Sequence, residues 1–314
     1  MVWNSRRNKW WVKRNIKKIW LEDEEGNVEF GGIKEDNEHI KLVREVNDEV
    51  LTKIKHRNQT DYWFKEFGGY IHMSYTRNQL LFNELNISRP NISRIIYLAT
   101  YIEYNYKEEN LLVRKRANIN NTKHLNKKDL KKLLKLSPNA FREFIKEMKE
   151  LNLLYEVEDK FYLTDEYFSK GKCNFNKGEY ARIFIKTTQM LYENCSPRQH
   201  KQLSYVYQLL PFLNFDTNIL CSNPQETHIG DLNKLSLDDI CDILGVDKHN
   251  KRKLEDDLLN FYITLDDNKY HLFSEVMIRV SGGWKNYFVI NPAVIFKGSA
   301  SDKMKEMINS LFFE

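Results

Sequence analysis

The sequence predicts an α+β chain, mainly α, in which one small domain occurs twice in tandem behind a short N-terminal β-containing region. Three observations carry this. Apolar and capping residues recur at an offset of 110 residues, each copy holds two short amphipathic helices joined by a tight turn, and a short strand-turn-strand follows each helix pair. The expected layout is an N-terminal basic and aromatic region at 1–69, a first domain at 70–172, a linker at 173–179, a second domain at 180–300 and a C-terminal helix at 301–314.

The N-terminal region reads as a strand, a turn and a strand. Trp10-Trp11-Val12 and Lys17-Lys18-Ile19-Trp20-Leu21 lead into the acidic turn 22–27 and then Val28-Glu29-Phe30, and a charged linker runs from Lys34 to Asn58. Residues 1–20 carry seven basic residues, no acids and four Trp. Basic residues interleaved with aromatics suit a DNA-contacting arm, and they equally suit a half-buried hairpin with Trp inside and Lys outside.

The repeat is clearest at Leu125 to Leu130 against Leu235 to Ile240. At the same offset Leu133 meets Ile243, Leu134 meets Leu244, Phe144 meets Leu254 and Met148 meets Leu258. Upstream, Tyr101 to Asn105 pairs with Phe212 to Asp216 at offset 111. Downstream, Phe161 to Asp165 and Lys170-Gly171 pair with Phe288 to Pro292 and Lys297-Gly298 at offset 127, so the second copy carries a 17-residue insertion. In each copy Asn126 or Ser236 precedes an acid by three residues, a capping box, and Leu125/Leu130 or Leu235/Ile240 form the staple around it. A second helix starts at Ser137 or Asp247, with Pro138 at the first helical position of copy one, and Phe141, Phe144, Ile145, Met148 and Leu151 give it one apolar face. Ahead of each pair a long packing helix is expected, Ile92 to Tyr104 and His200 to Leu213.

After the second helix, Leu153 to Val157, a turn at Glu158-Asp159-Lys160 and Phe161 to Leu163 read as a hairpin. A helix-turn-helix followed by a hairpin is a winged helix, so the fold class is two winged helix-turn-helix domains in tandem. The second wing should be enlarged, with Tyr270 to Val280 adding strand and Ser281-Gly282-Gly283 a turn. The C-terminal helix, Asp302 to Phe313, docks through Met304, Met307, Ile308 and Leu311 on its own domain or on another chain.

Tyr101-Ile102-Glu103-Tyr104-Asn105, Leu111-Leu112-Val113-Arg114, Leu125 with Asp129-Leu130, and Phe161-Tyr162-Leu163-Thr164-Asp165 with Tyr167-Phe168 and Lys170-Gly171 resemble, in that order, the tandem winged-helix replication initiators and DNA-binding regulators of Gram-positive plasmids and phages. The second copy's Tyr287 to Pro292 with Phe296-Lys297-Gly298 is similar to the C-terminal signature of the initiators. The resemblance spans about three-quarters of the chain through short motifs. It implies sequence-specific binding of double-stranded DNA, with host replication or transcription proteins as further partners.

The outward face of a reading helix enters the major groove, and in copy one that face holds Asn139, Arg142, Lys146 and Lys149, opened by Ser137. Asn and Arg suit bidentate pairing with adenine and guanine edges, whereas Lys127, Lys128 and Lys131 on the preceding helix, and Lys160 on the wing, are placed for phosphates. The bland reading is a solvated Lys-rich face offset by Glu143, Glu147 and Glu150. Residues 113–150 hold twelve basic residues against four acidic, a net +8; residues 235–260 hold four against seven, a net −3. His249 and Arg252 align with Asn139 and Arg142, but Asp256 replaces Lys146. Copy two is therefore either a DNA reader that leans on its longer wing (Arg279, Lys285) or a domain turned to protein contact, and it or the C-terminal helix is where an oligomer would form.

The 314 residues, 41% hydrophobic and 30% charged, exclude a disordered tail or a mini-protein, and no apolar run approaches the length of a membrane span. A cytoplasmic protein is expected, with no membrane partner. The net charge of +5 settles no partner by itself. Cys173, Cys195, Cys221 and Cys241 lack metal-ligand spacing and read as reduced thiols; neither an H-E-x-x-H nor an H-x-H pair is present, nor a phosphate-binding glycine loop. No metal, cofactor or catalytic residue is expected, and a nickase or recombinase lacks its constellation. The expected function is site-specific DNA binding in replication initiation at an origin. The alternatives are a phage or plasmid transcription regulator and a winged-helix interaction scaffold.

Overall fold

The structure, a computed structural model, describes residues 62–314 apart from 64, 75–84, 105–109, 116–121, 172–179, 266, 281–282, 299–300 and 313–314, with the backbone of five strands within 1–41 and backbone alone at 115, 122, 278–280, 283–285 and 301–303. The chain forms two compact units, Met1–Asp61 and Tyr62–Glu314. In the first, β1 (Val2–Asn4) pairs with β2 (Lys9–Trp11), and β3 (Lys17–Glu22) pairs antiparallel with β4 (Val28–Lys34), which takes β5 (Ile40–Lys41) on its other edge. The two strands expected within Lys17 to Phe30 are present and paired, and the expected turn at 23–27 lies outside the described residues. β5 falls inside the expected linker, and 42–61 lie outside the described residues, as do Cys173 and the linker at 173–179.

The second unit opens with helical residues at 62–63 and 65–67, followed by β6 (Tyr70–Ser74), α1 (Arg89–Ala99), β7 (Val113–Lys115) and β8 (Thr122–His124). There follow the helix pair α2 (Lys127–Leu134) and α3 (Pro138–Glu150), the hairpin β9 (Leu154–Val157) and β10 (Lys160–Leu163), and β11 (Phe168–Ser169). A similar order follows, with isolated bridges in place of β7 and β8 and with an added helix, a second hairpin and a C-terminal helix: β12 (Tyr180–Phe184), α4 (Ile185–Asn194), α5 (His200–Gln208), the helix pair α6 (Leu237–Leu244) and α7 (Lys251–Leu259), two hairpins β13 (Tyr262–Leu265) with β14 (Asn268–His271) and β15 (Phe273–Val280) with β16 (Gly283–Ile290), then β17 (Ile295–Phe296) and α8 (Ser301–Leu311).

Local sequence explains both helix pairs. Asn126 accepts from the Asp129 N–H at 3.0 Å while Asp129 accepts from the Asn126 N–H, and Ser236 and Asp239 make the same reciprocal bonds. Both first helices stop at a left-handed residue, Lys135 (φ 53°) and Gly245 (φ 55°). Ser137 then caps α3, and Phe141, Phe144, Ile145 and Met148 are buried beneath it. The first hairpin turns on Glu158 and Asp159, both at positive φ, the two-residue turn whose twist suits antiparallel strands.

A four-stranded sheet in the order β11-β6-β12-β17 joins the halves. At its centre β6 and β12 run antiparallel with Tyr70 opposite Phe184, His72 opposite Arg182 and Ser74 opposite Tyr180. His72 and Arg182 are themselves 110 residues apart, so exchanging the two copies maps the pairing onto itself. An approximate two-fold axis passes through that pair. Main-chain bonds repeat around it: Leu112 N–H to Phe161 O and Leu220 N–H to Phe288 O, Leu125 N–H to Leu112 O and Leu235 N–H to Leu220 O, Leu163 N–H to Asn110 O and Ile290 N–H to Asn218 O. Asn110 and Asn218 are both left-handed, and each side-chain amide donates to two buried carbonyls, of Thr164 and Phe168 or of Ile290 and Ile295. The last carbonyls of the two first helices also receive matching donors from the opposite half: Leu134 O from the Tyr192 hydroxyl and Leu244 O from Arg89.

Three expectations need correction. The packing helices are shorter than the spans Ile92 to Tyr104 and His200 to Leu213. α1 ends at Ala99, where Thr100 turns its hydroxyl back on Tyr97 O and Ile102 bridges to Leu112, and α5 gives way at Gln208 to a 3-10 turn containing Pro211, which lacks the N–H to continue it. The 17-residue insertion is a second hairpin rather than one longer wing, and the strand resumes at Gly283, which the expected turn had included. The last helix spans Ser301–Leu311, with Met304, Ile308 and Phe312 buried in the unit while Leu311 is exposed. Among the described residues no helix is long and apolar enough to cross a membrane.

Candidate nucleic-acid interface

α2 and α3 meet at the short break 135–137, and the groove between their outer faces is a cleft of about 500 Å³. Lys127, Lys128, Lys131 and Arg142 line it with Asn126, Pro138 and Asp159 of the hairpin turn, and buried Phe141 and Ile145 give it an apolar floor. Four cations around one concave surface, with an apolar floor that limits their solvation, attract phosphate. The helix spacing does this: Lys127, Lys128 and Lys131 lie within one arc of α2 beside the stripe of buried Leu130 and Leu134, and Arg142 sits one turn into α3.

The expected reading stripe divides. Asn139 and Arg142 are exposed on the first two turns of α3. Ser137 is committed as the cap, its Oγ accepting from the Ala140 N–H at 3.3 Å. Lys146 lies 3.8 Å from Glu150, and Lys149 is held 2.7 Å from Glu156 on β9. The half-buried Lys160 opens β10. Two of the four acids of the 113–150 segment are engaged elsewhere. Asp129 belongs to its capping box and lies 3.3 Å from Lys123, and Glu147 accepts from Ser88 N–H (2.6 Å), Ser88 Oγ (2.9 Å) and Asn91 Nδ2 (2.8 Å) at the start of α1.

The second helix pair has the same first helix and cap, a second helix that begins as a 3-10 turn, and opposite chemistry. Lys127, Lys128, Lys131 and Lys132 are replaced at the 110-residue offset by Leu237, Asp238, Cys241 and Asp242. Asp238 and Asp242 draw in Lys251 (3.0 Å) and Lys248 (2.9 Å), so cations at the start of the second helix are spent within the pair. Donating a hydrogen bond to the Asp242 carboxylate raises the Lys248 ammonium above its ordinary range. His249 sits in the 3-10 turn Lys248–Asn250, its N–H bound by Asp247, and Arg252 is exposed on the first turn of α7. Further along, burial and then the facing Glu275 push the Glu255 carboxyl up. Lys285 lies on β16 opposite Ile278; its side chain, like that of Arg279, falls outside the described residues.

Sequence reasoning missed two groups that fix this geometry. Glu147 ties α3 to α1, and Asn110 with Asn218 holds each hairpin to the core. The Asn pair carries a signal, Asn-Leu-Leu against Asn-Ile-Leu, but at an offset of 108. Cys195, Cys221 and Cys241 are free and buried, and burial pushes the first two thiols up to about 11, which keeps them protonated and unreactive at neutral pH. The chain matches no family of known proteins, no curated protein and no solved structure, so the cleft and its altered counterpart must be interpreted from their own chemistry.

Proposed function

We propose that this protein binds double-stranded DNA at specific sites through two winged helix-turn-helix units of unequal strength, in the manner of a replication initiator at an origin. The carrying observation is the cleft of Lys127, Lys128, Lys131 and Arg142 beside the exposed Asn139. In this reading the lysines hold the backbone and the first two turns of α3 read base edges in the major groove. Lys146 and Lys149, each near a carboxylate, contribute less. Arg252 and His249 of the second unit give a weaker reader, because the positions matching Lys127, Lys128 and Lys131 are Leu237, Asp238 and Cys241, and Asp238 and Asp242 hold the nearby lysines. Two readers related by an approximate two-fold axis approach the duplex in opposite senses, so the site should be an imperfect inverted repeat with one dominant half.

The test is footprinting of the purified protein, at several salt concentrations, on DNA flanking its own gene. Protection of repeated elements in an AT-rich tract supports initiation; protection confined to promoters assigns the same chemistry to transcription control. Binding with no sequence preference at moderate salt refutes the reading, and absence of binding leaves the interaction scaffold.

A further inference from the structure

The hairpin β9–β10 is the part of this unit that a DNA-facing winged helix would turn toward phosphate, and its charge is wrong for that. Residues 154–166 carry Glu156, Glu158, Asp159, Asp165 and Glu166 against Lys160 alone, a net −4 directly after the +8 segment 113–150. All five carboxylate residues are exposed, and Glu156 lies 2.7 Å from Lys149 on α3. The register puts Tyr155, Tyr162, Val157 and Lys160 on one face and Leu154, Glu156, Phe161 and Leu163 on the other, where Leu154, Phe161 and Leu163 are buried and Glu156 is exposed. On the outer face the Tyr155 and Tyr162 rings stack at 5.2 Å and 5°, and Tyr155 and Val157 remain 40% and 51% exposed. β10 lies between β9 and the bridge from Leu111, so β9 is the outer strand, and among the described residues no strand pairs with its far edge.

We propose that the β9 edge is a protein-docking site that takes up an extended, Lys- or Arg-bearing segment of a second protein as an added strand. Main-chain bonds along Leu154–Val157 would supply affinity, the Tyr155–Tyr162 face would pack alternate apolar side chains or the stem of an arginine, and the carboxylates at both ends would select positive charge. Charge decides the class of partner: nucleic acid is repelled by the same groups that attract a cationic peptide. The proposal stands independently of DNA binding by α2 and α3.

The probe is a fluorescently labelled octapeptide of alternating Arg and Val, followed by anisotropy against the full chain, with an alternating Glu and Val peptide as control. The Arg peptide should bind and the Glu peptide should not. Tyr155→Ala should weaken binding about tenfold, the loss expected of an exposed aromatic anchor. Glu158→Gln with Asp159→Asn should do so comparably while keeping the turn, because Asn tolerates positive φ. Thermal melting identifies a variant that has lost its fold, and the Glu158/Asp159 variant, which touches no buried group, then decides. Four outcomes would overturn the proposal: no Arg-peptide binding up to about 1 mM, equal binding of the Glu peptide, undiminished binding by both variants, or variants that lose duplex affinity while keeping the peptide. The last would make the hairpin a DNA contact.

Discussion

His72 and Arg182 face each other at the centre of the sheet, and each is the other's counterpart in the repeat. The symmetry of the backbone is thus broken at its own axis by side chains. Arg182 lies 4.7 Å over the Trp63 ring and donates to Lys297 O and Gly298 O, whereas His72 meets Tyr70 and Tyr180 edge-on. Burial, and then Arg182, hold the His72 imidazole down at about 4.

Acid should therefore begin to loosen this unit above the ordinary carboxylate range. His200, buried and facing Arg94 and Lys135, is also lowered from 6.5 to about 4. Between pH 6.5 and 4 the unfolded chain binds protons that the folded chain does not. The stability from keeping both histidines neutral is complete above pH 6.5 and is lost as pH falls through that window, by about 2 kcal/mol or more in sum. Urea midpoints at pH 7.5 and 4.5 measure the loss, and His72→Gln with His200→Gln should shrink it.

If the first helix pair reads DNA, Arg142→Ala and Asn139→Ala should each cost about 1–3 kcal/mol of discrimination between sites. Lys131→Ala should weaken all duplexes alike and lower the salt slope by about 1. Affinities for a selected and a scrambled duplex at three salt concentrations separate the two behaviours. An Arg142→Ala variant with unchanged affinity and preference would remove α3 as the reader.

The second helix pair should gain non-specific affinity when given the first pair's charges. Asp238→Lys with Asp242→Lys releases Lys248 and Lys251 and rebuilds part of the cleft, so the salt slope should steepen by about 2 or more. The two exposed ion pairs lost should cost at most about 1 kcal/mol each, visible in the melting curve.

Asn110→Ala and Asn218→Ala should each destabilise by about 2–4 kcal/mol, since each leaves two inward carbonyls without their amide donor and puts a Cβ-bearing residue with no compensating side chain at positive φ. Chemical denaturation with matched slopes checks this, and replacement by Gly should recover only the backbone share.

What could be read from the sequence is what is decided within a few residues. Asn126 with Asp129, Ser236 with Asp239 and the apolar face of α3 follow from spacings of three and four, and the structure reproduces them. The sheet could not be read this way. Tyr70–Ser74 and Tyr180–Phe184 share only their first residue, and their partnership depends on the rest of both copies folding around them. The cleft was half legible, because helical spacing gathers Lys127, Lys128 and Lys131, while the withdrawal of Glu147 to α1 and of Lys149 to Glu156 depends on tertiary neighbours.

The β6–β12 seam gives the chain the organisation of a dimer whose protomers have been fused. Two such halves made as separate polypeptides would meet at a rate and occupancy set by their concentration; joined in one chain, they assemble at every dilution. Fusion also frees each half to diverge, since a substitution no longer appears twice. That freedom is what lets Lys128 and Asp238 occupy matching positions with opposite charge.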